Sequence, residues 1–337
     1  MMAAMTDGRR RKELARADRV LPGLWRLRLP LPWPGVPHVN AWAIAAGSGV
    51  VLVDTGLDEP GALRQLERAL DQAGLRLEHV RLLVCTHAHS DHYGLAGPIV
   101  RAAGCQLWLH PNHAHMTKAA EDPERMLERR LEVARASGVP AETLAGYESA
   151  RRGGGVGVAE VVAPGRELVD GVEVATDLGS WRVYETPGHA PSHVVLHQPE
   201  RRLLLSGDHI LGRVSLYYDY GYSPDPAGEF MGSLQRVENL PVQLVLPGHG
   251  RPVRDLKGLV GANRGKVLER IGLVRDAIAD GPRTPYEVVP RLFGDAPKQL
   301  MVGWGLSEVL CYLRYLELRG EAAPLEGEDP SRWAAAA

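Results

Sequence analysis

The sequence predicts an α+β fold in which two β-rich halves, flanked by helices, form a sandwich of sheets. Three observations carry that expectation. Short apolar strand-like runs recur from Val20 to Leu246, a charged helical stretch at about 111–152 interrupts them, and past about Arg254 only helical patterns remain. The chain therefore divides into a β-rich region over 18–253, carrying the insertion, and a small helical region over 254–325. Its 337 residues suffice for one large domain plus a smaller one.

Taken in order, residues 1–17 are polar and expected to fray. Val20–Leu29, Val39–Ala46 and Val50–Val53 read as strands, with a break at Pro30–Gly35 and a tight turn at Gly47-Ser48-Gly49. Leucines at 63, 66 and 70 mark a helix that Gly74 stops. Val80–Cys85 is a buried strand, 93–103 a helix and Cys105–Leu109 another strand. After the insertion, strands are expected at Val158–Val162, Glu167–Val169, Val172–Thr176, Trp181–Glu185, Val194–His197, Arg202–Leu205 and Gln243–Leu246. Asp225-Pro226 caps and opens a helix to about Leu240. Thr284-Pro285-Tyr286-Glu287 is a capping box, and 308–316 continues a helix. The stretch Arg332-Trp333-Ala334 reads as disordered.

Composition excludes several functions. A net charge of -2 provides no broad basic field for nucleic acid or an anionic membrane, although a local basic groove is compatible with that total. The three cysteines, Cys85, Cys105 and Cys311, are too scattered for a disulfide framework and fit a reducing compartment. No apolar run reaches membrane-spanning length and the first residues lack a secretory pattern, so a cytoplasmic location is expected.

The chemistry concentrates at Thr86-His87-Ala88-His89-Ser90-Asp91-His92, directly after a strand. On extended backbone, side chains two apart share a side, so His87 and His89 can grip one metal. Asp91 and His92 follow the turn and can face a second. Imidazole and carboxylate are ligands that zinc, iron and manganese accept, and a solvated loop has no need of them at this spacing. Three more strands stop at a glycine followed by a ligand type: Gly188-His189, Gly207-Asp208 and Gly248-His249. Glycine lets the backbone turn sharply there, so that the next side chain projects from the sheet edge. Asp54, in Asp54-Thr55-Gly56, could orient a ligand histidine or cap the helix after it.

This set resembles the metallo-β-lactamase superfamily, on Asp-Thr-Gly at 54–56, His-x-His-x-Asp-His at 87–92, and His189, Asp208 and His249 in the expected order. The resemblance covers about Val20 to Val253. It implies an αββα sandwich with the site at one edge of the two sheets. It also implies that His87, His89 and His189 hold one metal, that Asp91, His92 and His249 hold another, and that Asp208 bridges. The helical tail is similar to the winged-helix-like module of the β-lactamase-like protein 2 branch. A bridging aspartate at 208 differs from the true zinc β-lactamases, and His89 differs from the glutamate of the di-iron flavoproteins. No nuclease-type insertion follows His189. The ligand set is closest to hydrolases of the glyoxalase II, lactonase and acyl-thioesterase type.

The expectation is a hydrolase with two divalent ions, zinc first and iron or manganese as alternatives. The ions share a hydroxide that attacks an ester, thioester or lactone carbonyl of a small acyl substrate. Asp91 and Asp208 are the catalytic carboxylates, with Asp91 or a water as proton donor. Tyr217, Tyr218, Tyr220 and Tyr222 form a substrate-facing loop or a packed cover, with at most one catalytic phenol among them. His209 is a candidate for supporting the site or for structure, as are His193 and His197. His110, His113 and His115 read as solvated or capping, and Trp304 as core. A metal-dependent ribonuclease using basic residues such as Arg251, Arg254, Arg264 and Arg270 is the alternative function. A non-catalytic, homodimer-forming tail is the alternative use of that region, and a one-iron persulfide dioxygenase is a minor alternative.

Overall fold

The computed structural model describes residues 14–33, 35–295 and 301–336. One sheet has the order β1 (Arg16–Leu21), β2 (Leu24–Trp33), β3 (Val36–Ala46), β4 (Gly49–Val53), β5 (Val80–Val84), β6 (Gln106–Leu109) and β7 (Arg166–Glu167). It is antiparallel up to β4 and parallel from there. In the second sheet β8 (Glu173–Thr176), β9 (Gly179–Glu185), β10 (Val194–Gln198) and β11 (Leu203–Gly207) are antiparallel neighbours, and β12 (Leu244–Pro247) joins β11 in parallel.

Alternation along the strands builds four layers. Trp42, Ile44, Val51 and Val53 meet Val194, Leu196, Leu203 and Leu205 between the sheets. Their neighbours Ala43, Leu52 and Leu83 face α1 (Ala62–Gln72) and α3 (Ala96–Ala103), with Leu66, Leu70 and Ile99. On the far side Val195, Leu204 and Val245 face α7 (Pro226–Glu238) and α8 (Leu256–Ala279), with Phe230, Leu234 and Val260. The expected αββα sandwich is the observed one.

The short α2 (Ser90–Tyr93) follows β5, and the insertion comprises α4 (Ala114–Glu121), α5 (Pro123–Ala136) and α6 (Ala141–Arg151). The tail adds α9 (Pro285–Phe293), a π turn at Met301–Gly305 and α10 (Leu306–Glu317), which packs on α7, α8 and α9. Asp225 caps α7, and Thr284 with Glu287 forms the expected capping box on α9.

Four expectations are corrected. Arg16 and Ala17 belong to a strand, while residues 1–13 lie outside the described ones. β2 runs through Pro30 and Pro32 to Trp33, because β1 pairs with it only as far as Arg28 and prolines beyond cost no ladder bond on that side. Val158–Val162 forms no strand, and its amides bond singly instead, Ala159 to the Gly94 carbonyl and Val162 to the Tyr93 hydroxyl. The tail is not strand-free, since β13 (Ala322–Pro324) pairs with β14 (Trp333–Ala335) and buries Trp333. Strands of three residues are too short to show a period.

Candidate metal centre

All the ligands singled out from the sequence sit where strands of the two sheets end. Val84 leads from β5 to His87, and His89 stands at the start of α2, so the first helical turn presents Asp91 and His92. Gly188 has φ 126°, and a Cβ there would lie 2.5 Å from the Phe230 backbone, so only glycine fits before His189. Gly207, at φ 47°, precedes Asp208. At Gly248 a Cβ would stand 2.2 Å from Asp208 Oδ1 and 2.7 Å from His92 Cε1, inside the space the ligands enclose.

Two triads converge there. His87, His89 and His189 place one nitrogen each within 4.8 Å of one another, and so do ligand atoms of Asp91, His92 and His249. Asp208 lies between them: Oδ1 is 3.4 Å from His92 Nε2, and Oδ2 is 3.1 Å from His249 Nε2 and 3.8 Å from His189 Nε2. Asp91 Oδ2 is 3.2 Å from His249 Nε2.

The other nitrogen of each imidazole fixes which one faces inward. His92 Nδ1 donates to Asp54 Oδ2 at 2.9 Å. The Thr86 hydroxyl also donates to Asp54 Oδ2, at 3.0 Å, and so accepts from His87 Nδ1 at 3.0 Å. His189 Nδ1 donates to the Tyr217 carbonyl at 3.1 Å, His249 Nδ1 to the His38 carbonyl at 2.8 Å, and His89 Nε2 to Asp219 Oδ2 at 2.8 Å. Asp54 is thus a positioning carboxylate, with positive φ of 64° and a third bond from the Thr86 amide; Gly61, not Asp54, stands at the start of α1.

The inward atoms are then bare nitrogens and carboxylate oxygens. His89 Nδ1 and His189 Nε2 face each other at 3.0 Å, and His87 Nε2, His92 Nε2 and Asp208 Oδ1 are buried without a hydrogen-bond partner. Lone pairs crowded this way repel unless a cation or proton lies among them, so the donor set fits a metal pair. Burial, with the charge of His89, drives His189 down to about 3, so it is neutral at physiological pH. Burial opposes charge on His249 as well, yet Asp208 and Asp91 push it up to about 10. In the metal-free protein that proton stabilises the fold below the ordinary pKa of 6.5, and the contribution is lost as pH rises through about 10.

Other candidates are sorted differently from the sequence reading. His115 is neither solvated nor a cap: it is buried, with Nδ1 2.9 Å from Asp219 Oδ2 and Nε2 2.8 Å from Ser192 Oγ. Asp219 itself was hidden among the tyrosines. Its only signal was a carboxylate inside an aromatic run near the ligands. His110 does cap, accepting from the Asn112 amide. His193 accepts from the Asp208 amide at 3.0 Å and so helps place that carboxylate. His209 is structural, packed edge-on against Phe230, and burial lowers its pKa to about 4. Tyr218 is core, packed edge-to-face against Phe230 and Tyr312, and Tyr217 donates to Asp219 Oδ1 at 3.0 Å.

Tyr217, Tyr220 and Tyr222 instead line a cavity of about 1170 Å³ that reaches Asp219 and His115. Its walls come from the insertion (Met126, Arg130, Tyr147) and from the tail, where Trp304 is half-buried, packs against the core and donates to the Leu216 carbonyl at 2.8 Å.

Residues 34–249 match the family profile described as the Metallo-beta-lactamase superfamily. A probable metallo-hydrolase of Bacillus subtilis, YqjP, is 26% identical over 79% of this chain and 84% of its own. The crystal structure of a metallo-beta-lactamase family protein from Thermus thermophilus superposes with a TM-score of 0.79 at 29% identity, covering 94% of this chain and 99% of its own. That of a beta-lactamase domain protein from Burkholderia ambifaria gives a TM-score of 0.82 at 28% identity, over 95% and 94%.

Proposed function

The chain belongs to the metallo-β-lactamase superfamily, and from that premise we propose that it is a dinuclear metal-dependent hydrolase of acyl esters, thioesters or lactones. The observation carrying this reading is the pair of triads meeting at Asp208. His87, His89 and His189 would hold one ion and Asp91, His92 and His249 the other, with Asp208 shared. Donors without a thiolate suit zinc, iron or manganese, and zinc is the ion proposed. When bound, such a pair brings the pKa of water near neutrality and polarises a carbonyl.

The chain's own groups do the rest. Asp91 is a buried carboxylate with an oxygen 3.2 Å from His249, where it can take a proton from the attacking water and pass it to the leaving group. Asp54, Thr86 and His193 hold the ligand rings and Asp208 in register. Tyr217 is occupied with Asp219, so Tyr220 and Tyr222 are the phenols that face substrate. The cavity supports an acyl substrate with a sizeable apolar part, since Leu57, Leu63, Met116, Leu127, Val302 and Trp304 line it. Arg64, Arg129, Arg130 and Arg151 stand on the same walls with no carboxylate at ion-pair distance among the described residues, which favours an anionic group on that substrate.

Ribonuclease activity is less well supported. Arg264 pairs with Glu238 at 2.7 Å and Arg270 with buried Glu308, so these tail cations are already neutralised. A mononuclear persulfide dioxygenase would leave the second triad without a purpose. A cytoplasmic location is kept as part of the proposal; among the described residues no helix is long and apolar enough to cross a membrane. The test is a panel of acyl thioesters, aryl esters, lactones and RNA against the zinc-loaded protein. Turnover of an acyl substrate that chelation and His87→Ala both abolish is expected; cleavage of RNA alone, or activity indifferent to both treatments, overturns the reading.

A further inference from the structure

We infer that Asp219 is a positioning residue for the metal centre. It sets the tautomer of His89 and, through His115, fastens the insertion to that ligand. The inference rests on the metal reading above. Of the five ligand imidazoles, His189 and His249 are oriented by backbone carbonyls, and His87 and His92 by the Thr86–Asp54 pair. His89 depends on the Asp219 carboxylate, brought by the tyrosine loop from 130 residues away in sequence.

The geometry of that carboxylate is fully committed. Oδ2 accepts from His89 Nε2 at 2.8 Å and lies 2.9 Å from His115 Nδ1, while Oδ1 accepts from the Tyr217 hydroxyl at 3.0 Å. His115 Nε2 meets Ser192 Oγ at 2.8 Å, and that hydroxyl accepts from the Ala88 amide at 3.1 Å, one residue before His89. The contacts nearly close a circuit: they leave the ligand side chain, pass through the tyrosine loop and α4, and end on the Ala88 amide beside the ligand. A carboxylate accepting from Nε2 leaves Nδ1 as the lone pair, and Nδ1 is the atom 3.0 Å from His189 Nε2. Without Asp219 the proton is free to move to Nδ1 and the ring free to turn, and the triad then presents two donors rather than three. Outer carboxylates of this kind typically account for 10–100-fold in metal affinity.

These contacts also have a structural consequence. His115 lies in the first turn of α4, which leads into α5, whose Met126 and Arg130 face the cavity. One carboxylate thus ties the substrate wall to a metal ligand, so a disturbance of either reaches the other.

The test compares Asp219→Ala, Asp219→Asn and His115→Gln with wild type by zinc titration against a chromophoric chelator, with bound metal counted by mass spectrometry of the intact chain. Asp219→Ala is expected to weaken one of the two equivalents about 10–100-fold and leave the other near its wild-type affinity. Asp219→Asn, whose amide oxygen can still accept from His89 Nε2, should recover part of that loss, and His115→Gln should cost less than Asp219→Ala. A purely structural role would lower Tm and leave affinity alone. Wild-type affinity at both equivalents in folded Asp219→Asn and Asp219→Ala overturns the inference. Should Asp219→Ala fail to fold, Asp219→Asn decides: unchanged affinity with His115→Gln also unchanged sinks the idea. A wild type that binds no metal contradicts the proposed function instead.

Discussion

His87, His89, Asp91 and His92 arrive within six residues at the end of one strand, whereas the cavity wall that reaches Asp219 and His115 is gathered from Met126, Arg130, Tyr147, Tyr220 and Trp304, on four separate segments. The first region is held by the strand end and by short bonds to fixed partners such as Asp54 and the Thr86 hydroxyl. The second is held by helix packing, with α10 set against α7, α8 and α9 and anchored by Ser307 on the Tyr218 carbonyl. A metal centre tolerates only small displacements of its donors, so it sits at the ends of sheet strands. A substrate wall can vary in shape, and helices joined by loops permit that.

This contrast can be broken at either end. The largest effect is expected from Gly248→Ala, whose added methyl would occupy space between Asp208 and His92. Zinc content and acyl hydrolysis should both fall, activity by about 100-fold or more, with the circular dichroism spectrum retained. Full activity would mean that the ligands are not as closely spaced as described. At the other end, Glu308 is fully buried on α10, where it pairs with Arg270 and accepts from Tyr312 at 2.7 Å. Glu308→Ala strands the guanidinium and should destabilise by about 3–5 kcal/mol, measured by urea unfolding, while the folded fraction keeps its zinc. Zinc lost in parallel with stability would show the two regions to be one cooperative unit.

How much was legible follows the same division. The ligand set could be read because glycine-then-ligand at a strand end is a local pattern, repeated at 188–189, 207–208 and 248–249. The alternation that places Trp42 and Leu52 on opposite faces was equally local. Asp219 and His115 were not legible: each looks ordinary in its own segment, and only the packing of the tyrosine loop against α4 makes them partners. Asp54 was ambiguous for a related reason, since a cap and a histidine partner both begin with a carboxylate after a strand. The ribbon of β13 and β14 was missed because its pairing bridges residues too few to show a pattern, and Trp333 finds its place only against Arg283 in the folded chain.

The most direct test of the central claim is the metal stoichiometry of the zinc-loaded wild-type protein, counted by mass spectrometry under native conditions beside His89→Ala, His249→Ala and Asp208→Ala. Two ions per chain in wild type, one in each histidine variant and a loss at both positions in Asp208→Ala is the predicted result. A single ion in wild type that survives His249→Ala unchanged would contradict the pairing of the two triads.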